Sequence, residues 1–171
     1  MNSAWQVRAG QHGERDQEAL REGLVILGWE RVPNLDDYGS RAELGLDLRY
    51  RYAEMSHSTV ANWTGQLWRF SREIVVGDLV VMPIKTLGGL YAIGDITGNY
   101  GYRTEAAPGF RHVRAVRWSR TDVHREEIGP DLLSSLSAQL TVCRLARHRA
   151  LDRLRALSRG QPVTYTKPTF E

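Results

Sequence analysis

Three stretches decide the fold class: residues 75–85, VVGDLVVMPIK, residues 88–100, GGLYAIGDITGNY, and residues 110–119, FRHVRAVRWS. Each is short, rich in β-branched and aromatic residues, and separated from the next by Gly-rich or Pro-containing turns, which predicts strands. In the third, alternation puts His112, Arg114 and Val116 on one face and Val113, Ala115 and Arg117 on the other. Polar groups therefore line part of one sheet face. Upstream, AWQVRAG (4–10) alternates as a first strand, and QHGERDQEALREGL (11–24) carries helix formers between glycines. LVILGWE (24–30) is a short apolar strand closed by Gly28 and Trp29, and a polar loop runs from Arg31 to Asp37. Spaced Leu and Tyr predict helix within 38–55. SHSTVANWTGQLWRFSREI (56–74) offers a Ser or Thr cap and then Val60, Trp63, Leu67 and Phe70 on one helical face.

Downstream, TDVHREEIGP (121–130) reads as a loop, residues 131–138 as a helical turn and LTVCR (140–144) as a closing strand. ARHRALDRLRAL (146–157) reads as an amphipathic helix with Leu145, Leu151 and Leu154 inward. The order of elements is that of an α+β domain over 1–145, followed by a basic helix over 146–159 and a flexible tail over 160–171. No internal repeat is evident.

The 171 residues suit one medium domain, and 42% hydrophobic with 25% charged residues is a globular composition. No apolar run is long enough for a bilayer span, and MNSAWQVRAG has no secretory signal character, so the sequence predicts a cytoplasmic protein without a membrane partner. Cys143 is the single cysteine, which excludes an internal disulfide. Of 23 basic residues only Lys85 and Lys167 are lysines. Arginine forks pair with phosphates and stack on bases, so the bias suits nucleic acid; a GC-rich coding bias gives the same enrichment, and composition leaves both open.

Several chemistries lack their residues. A restriction-type nuclease needs an acid-x-Lys element, but the residues two before the lysines are Pro83 and Tyr165. The five histidines, at 12, 57, 112, 124 and 148, are not at metal-ligand spacing with one another or with Cys143. There is no P-loop and no nucleophile elbow. The expectation is a protein without catalytic residues, metal or cofactor.

Aromatic side chains beside hydrogen-bonding ones are plentiful instead. In NWTGQLWRF (62–70), Asn62 and Gln66 share a helical face next to Trp63, with Trp68 one turn on. Amides beside an indole suit the Watson–Crick edge of a flipped base; the alternative is that Trp63 and Trp68 anchor the core and Asn62 caps. Tyr100 and Tyr102, flanked by Arg103, Arg111, Arg114 and Arg117, read as a stacking platform with cations, or as a solvated strand pair. His112 either meets a phosphate or satisfies a core partner. Arg8, mid-strand after Trp5, requires an anionic partner if it points inward, and an internal salt bridge is the safer reading. Arg144, Arg147, Arg149, Arg153, Arg155 and Arg159 make the terminal helix a candidate for the DNA backbone, or a soluble face opposite its leucines.

Taken in order, WQVRAGQHGE, VILGW, NWTGQLWRF, VGDLVVMP, YAIGDITGNYGY and HVRAVRW resemble the N-terminal domain that precedes Mrr-like catalytic domains in modification-dependent restriction systems, a PUA-like fold related to EVE and YTH readers. The resemblance spans roughly residues 4 to 145. It implies a curled β-barrel with packed helices, to which this chain adds a C-terminal helix. It also implies a cleft in which Trp29 and either Trp63 or Trp68 cage a modified base. The working expectation is 5-methylcytosine in duplex DNA, taken into the pocket or read in the major groove without flipping. The base-binding set is then Trp5, Arg8, Trp29, Asn62, Trp63, Gln66, Trp68, Tyr100, Tyr102, His112 and Arg114, with phosphate contacts from Arg103, Arg111, Arg117 and Arg147. No Mrr-like nuclease follows, so the expectation is binding without cleavage, as a homodimer or with a nuclease acting in trans. An RNA-binding PUA-like domain is the alternative, since such folds also host RNA readers.

Overall fold

The computed structural model describes residues 1–161; the expectation of a flexible tail falls almost wholly on 162–171, outside the described residues. The strands are β1 (Ala4–Val7), β2 (Leu24–Leu27), β3 (Leu79–Ile84), β4 (Leu90–Tyr102), β5 (His112–His124) and β6 (Val142–Arg144). The helices are α1 (Asp16–Glu22), α2 (Arg41–Arg51), α3 (His57–Trp68), α4 (Arg125–Ile128), α5 (Pro130–Leu136) and α6 (Ala150–Ser158). A 3-10 turn at Leu35–Asp37 and a π turn at Arg69–Glu73 complete them. None of these helices is long and apolar enough to cross a membrane.

The strands form one sheet in the order β2-β5-β4-β3-β1-β6. Only β1 with β3 is parallel. The long β4–β5 hairpin is its spine, paired from Leu90 with His124 to Tyr102 with His112 and interrupted by irregularities near Ile93 and Ile96. At Gly94 the strands approach so closely that a Cβ would lie 2.6 Å from the Arg117 carbonyl oxygen, which only glycine permits.

Helices cover both faces, so β3 is buried on both and reads as an unbroken apolar run. Val80 packs with Leu44, Leu48, Val60 and Leu67 of α2 and α3, while its neighbours Leu79 and Val81 pack with Ile128, Leu132, Leu154 and Leu157 of α4, α5 and α6. A third cluster joins Ala19 of α1 to Ile26, Met82 and Val113. Thus α6 belongs to the core: Arg153 pairs with Asp131 at 2.7 Å, and Arg155 with Asp95 at 3.2 Å. Two of the arginines read as a DNA-facing row therefore dock the helix.

The α+β class stands, but the sheet is open where the resemblance implied a barrel, because β2 and β6 are edges that do not pair with each other. The polar edge of β6 is satisfied from a helix instead. Gln66 of α3 is buried, and its Oε1 accepts the backbone N–H groups of Thr141 at 2.9 Å and Val142 at 3.0 Å. The segment read as a loop at 121–130 is mostly regular: β5 runs on to His124, with Val123 fully buried, and α4 starts at Arg125, where Glu127 accepts the His124 N–H at 2.9 Å. Exposed Thr121 and Asp122 hide that strand end in the sequence. Replacing Gln66 by Ala leaves two N–H groups without their acceptor, and chemical denaturation is expected to show a loss of about 2 kcal/mol in unfolding free energy.

Candidate nucleic-acid interface

The chain that leaves β2 and the chain that enters β6 border a cleft of about 450 Å³. Gly28 and Trp29 follow β2, Thr141 precedes β6, Trp63 projects from α3, and Gly10, Gln11 and Arg15 come from the β1–α1 connection. The two indoles meet edge to face, with ring centroids 6.2 Å apart and planes at 70°. Behind Trp63 stands the buried ring of Tyr52, 5.1 Å away at 79°, so the Trp63 ring is held from its inner side. Both tryptophans are half-buried against the main core cluster. The result is an apolar corner with two walls at nearly a right angle.

Arg15 supplies the polar side of the cleft. Its Nε donates to the Gly109 carbonyl, and its guanidinium carbon lies 5.7 Å from the centre of the Phe110 ring. It packs so tightly on Gly28 that a Cβ there would lie 2.4 Å from Nη2. Burial pushes its pKa down, although neighbouring Glu14 and Glu30 pull it up. Arginine stays protonated in proteins. Among the described residues Arg15 has no carboxylate within ion-pair distance.

The model of a family described as Domain of unknown function (DUF8426) matches residues 5–146, which takes in both edge strands and every residue of the cleft. The chain belongs to this family. No curated protein matches the chain. Among solved structures it is similar to protein Atu2648 from Agrobacterium tumefaciens, with 12% identity and a TM-score of 0.42 over 98% of this chain and 100% of that one. It is also similar to the YTH domain of the Zygosaccharomyces rouxii MRB1 protein, whose structure is in complex with N6-methyladenosine RNA, with 10% identity and a TM-score of 0.42 over 99% of this chain and 90% of that one. The family's description names no Mrr-like protein, and that finer resemblance rests on the sequence motifs alone.

Within this DUF8426 domain the predicted residues divide. Trp29 and Trp63 meet at the cleft; Trp68 does not line it. Five positions along a helix amount to a turn of about 140° relative to Trp63, and Trp68 carries the Arg72 guanidinium 4.8 Å over its ring. Asn62 is exposed beside Trp63, but its Oδ1 accepts from Gln66 Nε2 at 2.6 Å. With its oxygen on β6 and its nitrogen on Asn62, Gln66 is not free to read a base. Trp5 is buried and donates its Nε1–H to Asp78 at 2.9 Å. Arg8 does turn inward, yet its partners are the carbonyls of Leu136 and Ala138 rather than a carboxylate. These oxygens sit at the C-terminal end of α5, where orphan carbonyls concentrate negative partial charge.

The strand face read as a stacking platform points into the protein. Tyr100, His112 and Arg114 are all buried. His112 Nδ1 lies 2.7 Å from the Tyr100 hydroxyl, and its Nε2 lies 3.0 Å from the Val32 carbonyl and 3.3 Å from that of Trp29. Carbonyls only accept, so the proton resides on Nε2 and Tyr100 donates to Nδ1. The Tyr100 oxygen in turn accepts the Leu35 N–H at 3.1 Å. Tyr102 packs on the same imidazole at 5.2 Å. His112 is thus a positioning residue for the Trp29–Val32 segment. Arg114 donates to the carbonyls of Phe70, Ile74 and Gly98 and so pins the π turn to β4. Of the predicted phosphate contacts, Arg103 and Arg111 flank the loop that touches Arg15, though Arg103 also reaches Glu18 at 3.6 Å. Arg117, exposed, pairs with Asp95 at 3.4 Å, and neither it nor exposed Arg147 lines the cleft.

The sequence reading missed Gln11, Arg15, Gly28 and Thr141. Arg15 sits in the quoted GQHGER run, but its role depends on Gly109, far away in the chain. Among the described residues, no group of three or more His, Cys, Asp and Glu gathers as a metal site would need.

Burial holds the His112 pKa below its ordinary 6.5, the carbonyls of Trp29 and Val32 pulling it back only in part. A histidine whose folded pKa lies below the unfolded one stabilises fully above the unfolded value and loses that contribution as pH falls. The urea midpoint of the wild type is therefore expected to drop between pH 7 and pH 5 more steeply than that of His112→Gln. Equal slopes would remove His112 as the titrating group.

Proposed function

We propose that this chain reads a single modified base in nucleic acid and does so without cutting it. The observation that carries the reading is the corner of Trp29 and Trp63, two indole planes at 70°, beside an arginine with no carboxylate partner among the described residues. An aromatic corner accepts the flat face of a base and its alkyl substituent, and a guanidinium supplies donors for its polar edge. The cleft is large enough for one nucleobase, and in this reading the base leaves the stack to enter it. In this reading Arg103 and Arg111, which donate to carbonyls of the 106–110 loop, also contact the flanking phosphates.

The finer terms of the proposal rest on the ordered motifs that resemble PUA-like domains ahead of Mrr-like nucleases: duplex DNA as partner, 5-methylcytosine as the modification, and a nuclease in trans where cleavage is needed. Binding rather than catalysis is further supported by the lack of any acid-x-Lys element in the sequence.

Equilibrium titration with matched oligonucleotides, in duplex DNA and in RNA, tests this. A methyl group buried against the indoles contributes about 0.8 kcal/mol, so 5-methylcytosine DNA is expected to bind about fourfold or more tighter than plain DNA. In Trp63→Ala modified DNA is weakened far more than plain DNA, so that ratio falls to about one. Preference for RNA overturns the DNA assignment. Strand scission by the purified protein that vanishes with chelator overturns the non-catalytic one.

A further inference from the structure

We infer that Arg15 sets the chemical class of the base: one with two adjacent hydrogen-bond acceptors and a substituent on the far side of the ring, that is, a C5-substituted cytosine. The inference rests on the base-reading role proposed above and concerns the same cleft.

Of the five N–H donors of Arg15, the one on Nε is taken by the Gly109 carbonyl. None of the four on Nη1 and Nη2 forms a hydrogen bond among the described residues. Yet the side chain is half-buried and packed. Gly28 leaves room for the guanidinium plane, Gly109 fixes it at Nε, and Phe110 lies 5.7 Å from its carbon. A guanidinium fixed at one corner by a backbone carbonyl cannot swivel freely, so its Nη pair forms a preset planar fork at the wall of the cleft. Such a fork is satisfied by two acceptors side by side.

Neutral cytosine offers such a pair, O2 and N3. Its C5 lies across the ring from C2, so with O2 and N3 on Arg15 a C5 substituent is carried away from the cation. The apolar lining left for it is the Trp29 and Trp63 corner. Adenine presents N1 beside the N6 amino donor, and thymine has a donor at N3, so each sets an N–H against a group that can only donate. Guanine has adjacent acceptors at O6 and N7, but these lie on the Hoogsteen edge of a larger ring. The fork therefore discriminates among bases, and the indoles read the substituent.

The test uses the whole chain and duplexes whose central base, 5-methylcytosine, cytosine, adenine, N6-methyladenine or guanine, lies opposite an abasic site, so that only one base can enter. The wild type is expected to favour cytosine over adenine, and 5-methylcytosine over N6-methyladenine, by about tenfold or more. Arg15→Lys keeps the charge but not the fork, so the salt dependence is retained while affinity for the cytosine duplexes falls and both base ratios drop to near one. Arg15→Gln lowers the ratios and the affinity together. Trp63→Ala should do the converse, keeping the cytosine preference and losing that for the methyl group. If Arg15→Lys leaves the ratios of a discriminating wild type unchanged, or if guanine or N6-methyladenine binds best, the inference is wrong and base reading stands. If the wild type distinguishes none of the bases, base reading itself fails.

Discussion

The N–H groups of Thr141 and Val142 lie where the chain enters the edge strand β6, that of Val142 buried, and the side-chain oxygen of Gln66 accepts both. Buried backbone donors left unmade are expensive, so this contact fixes how α3 sits against β6. Trp63 lies one turn earlier on the same helix, and its position beside Trp29 follows from that placement. The sheet remains open between β2 and β6, and its two edges flank the cleft that the indoles of Trp29 and Trp63 line together. A fully paired barrel would have no such gap.

A second theme is polar burial answered by the backbone. Arg114 meets three carbonyls, Arg8 meets the end of α5, Asp78 accepts from Ser3 N–H, Trp5 Nε1–H and Val75 N–H, and His112 bridges to Val32 and Tyr100. Unpaired charges in the interior would cost several kcal/mol each, and these groups avoid that by satisfying turns that have no regular partners. The His112 network is the one that bears on function, because it ties down the segment that starts at Trp29.

How far the sequence was legible follows from the range of the forces involved. Strand alternation correctly grouped His112, Arg114 and Val116, but periodicity gives the phase of a strand and not which side is buried, so a polar, inward face was read as an outward platform. Spacing on α3 likewise joined Asn62 to Gln66, a contact that does form, while its purpose depended on an edge strand 75 residues away. Trp29 and Trp63 were legible because each belongs to a local motif. Arg15 was not, since its orientation comes from Gly28 and Gly109, which the chain brings near it only on folding.

Five tryptophans give the molecule its own reporters. The indole N–H of Trp5 is bonded to Asp78 and that of Trp118 to the Ala19 carbonyl, neither ring lines the cleft, and Trp68 lies under Arg72. The most direct measurement is a heteronuclear NMR titration of these five indole N–H signals, assigned by single Trp→Phe variants, with an oligonucleotide carrying 5-methylcytosine. Saturable shifts at Trp29 and Trp63, with Trp5 and Trp118 unmoved, are what this account predicts. Saturable binding that leaves Trp29 and Trp63 unshifted would contradict it.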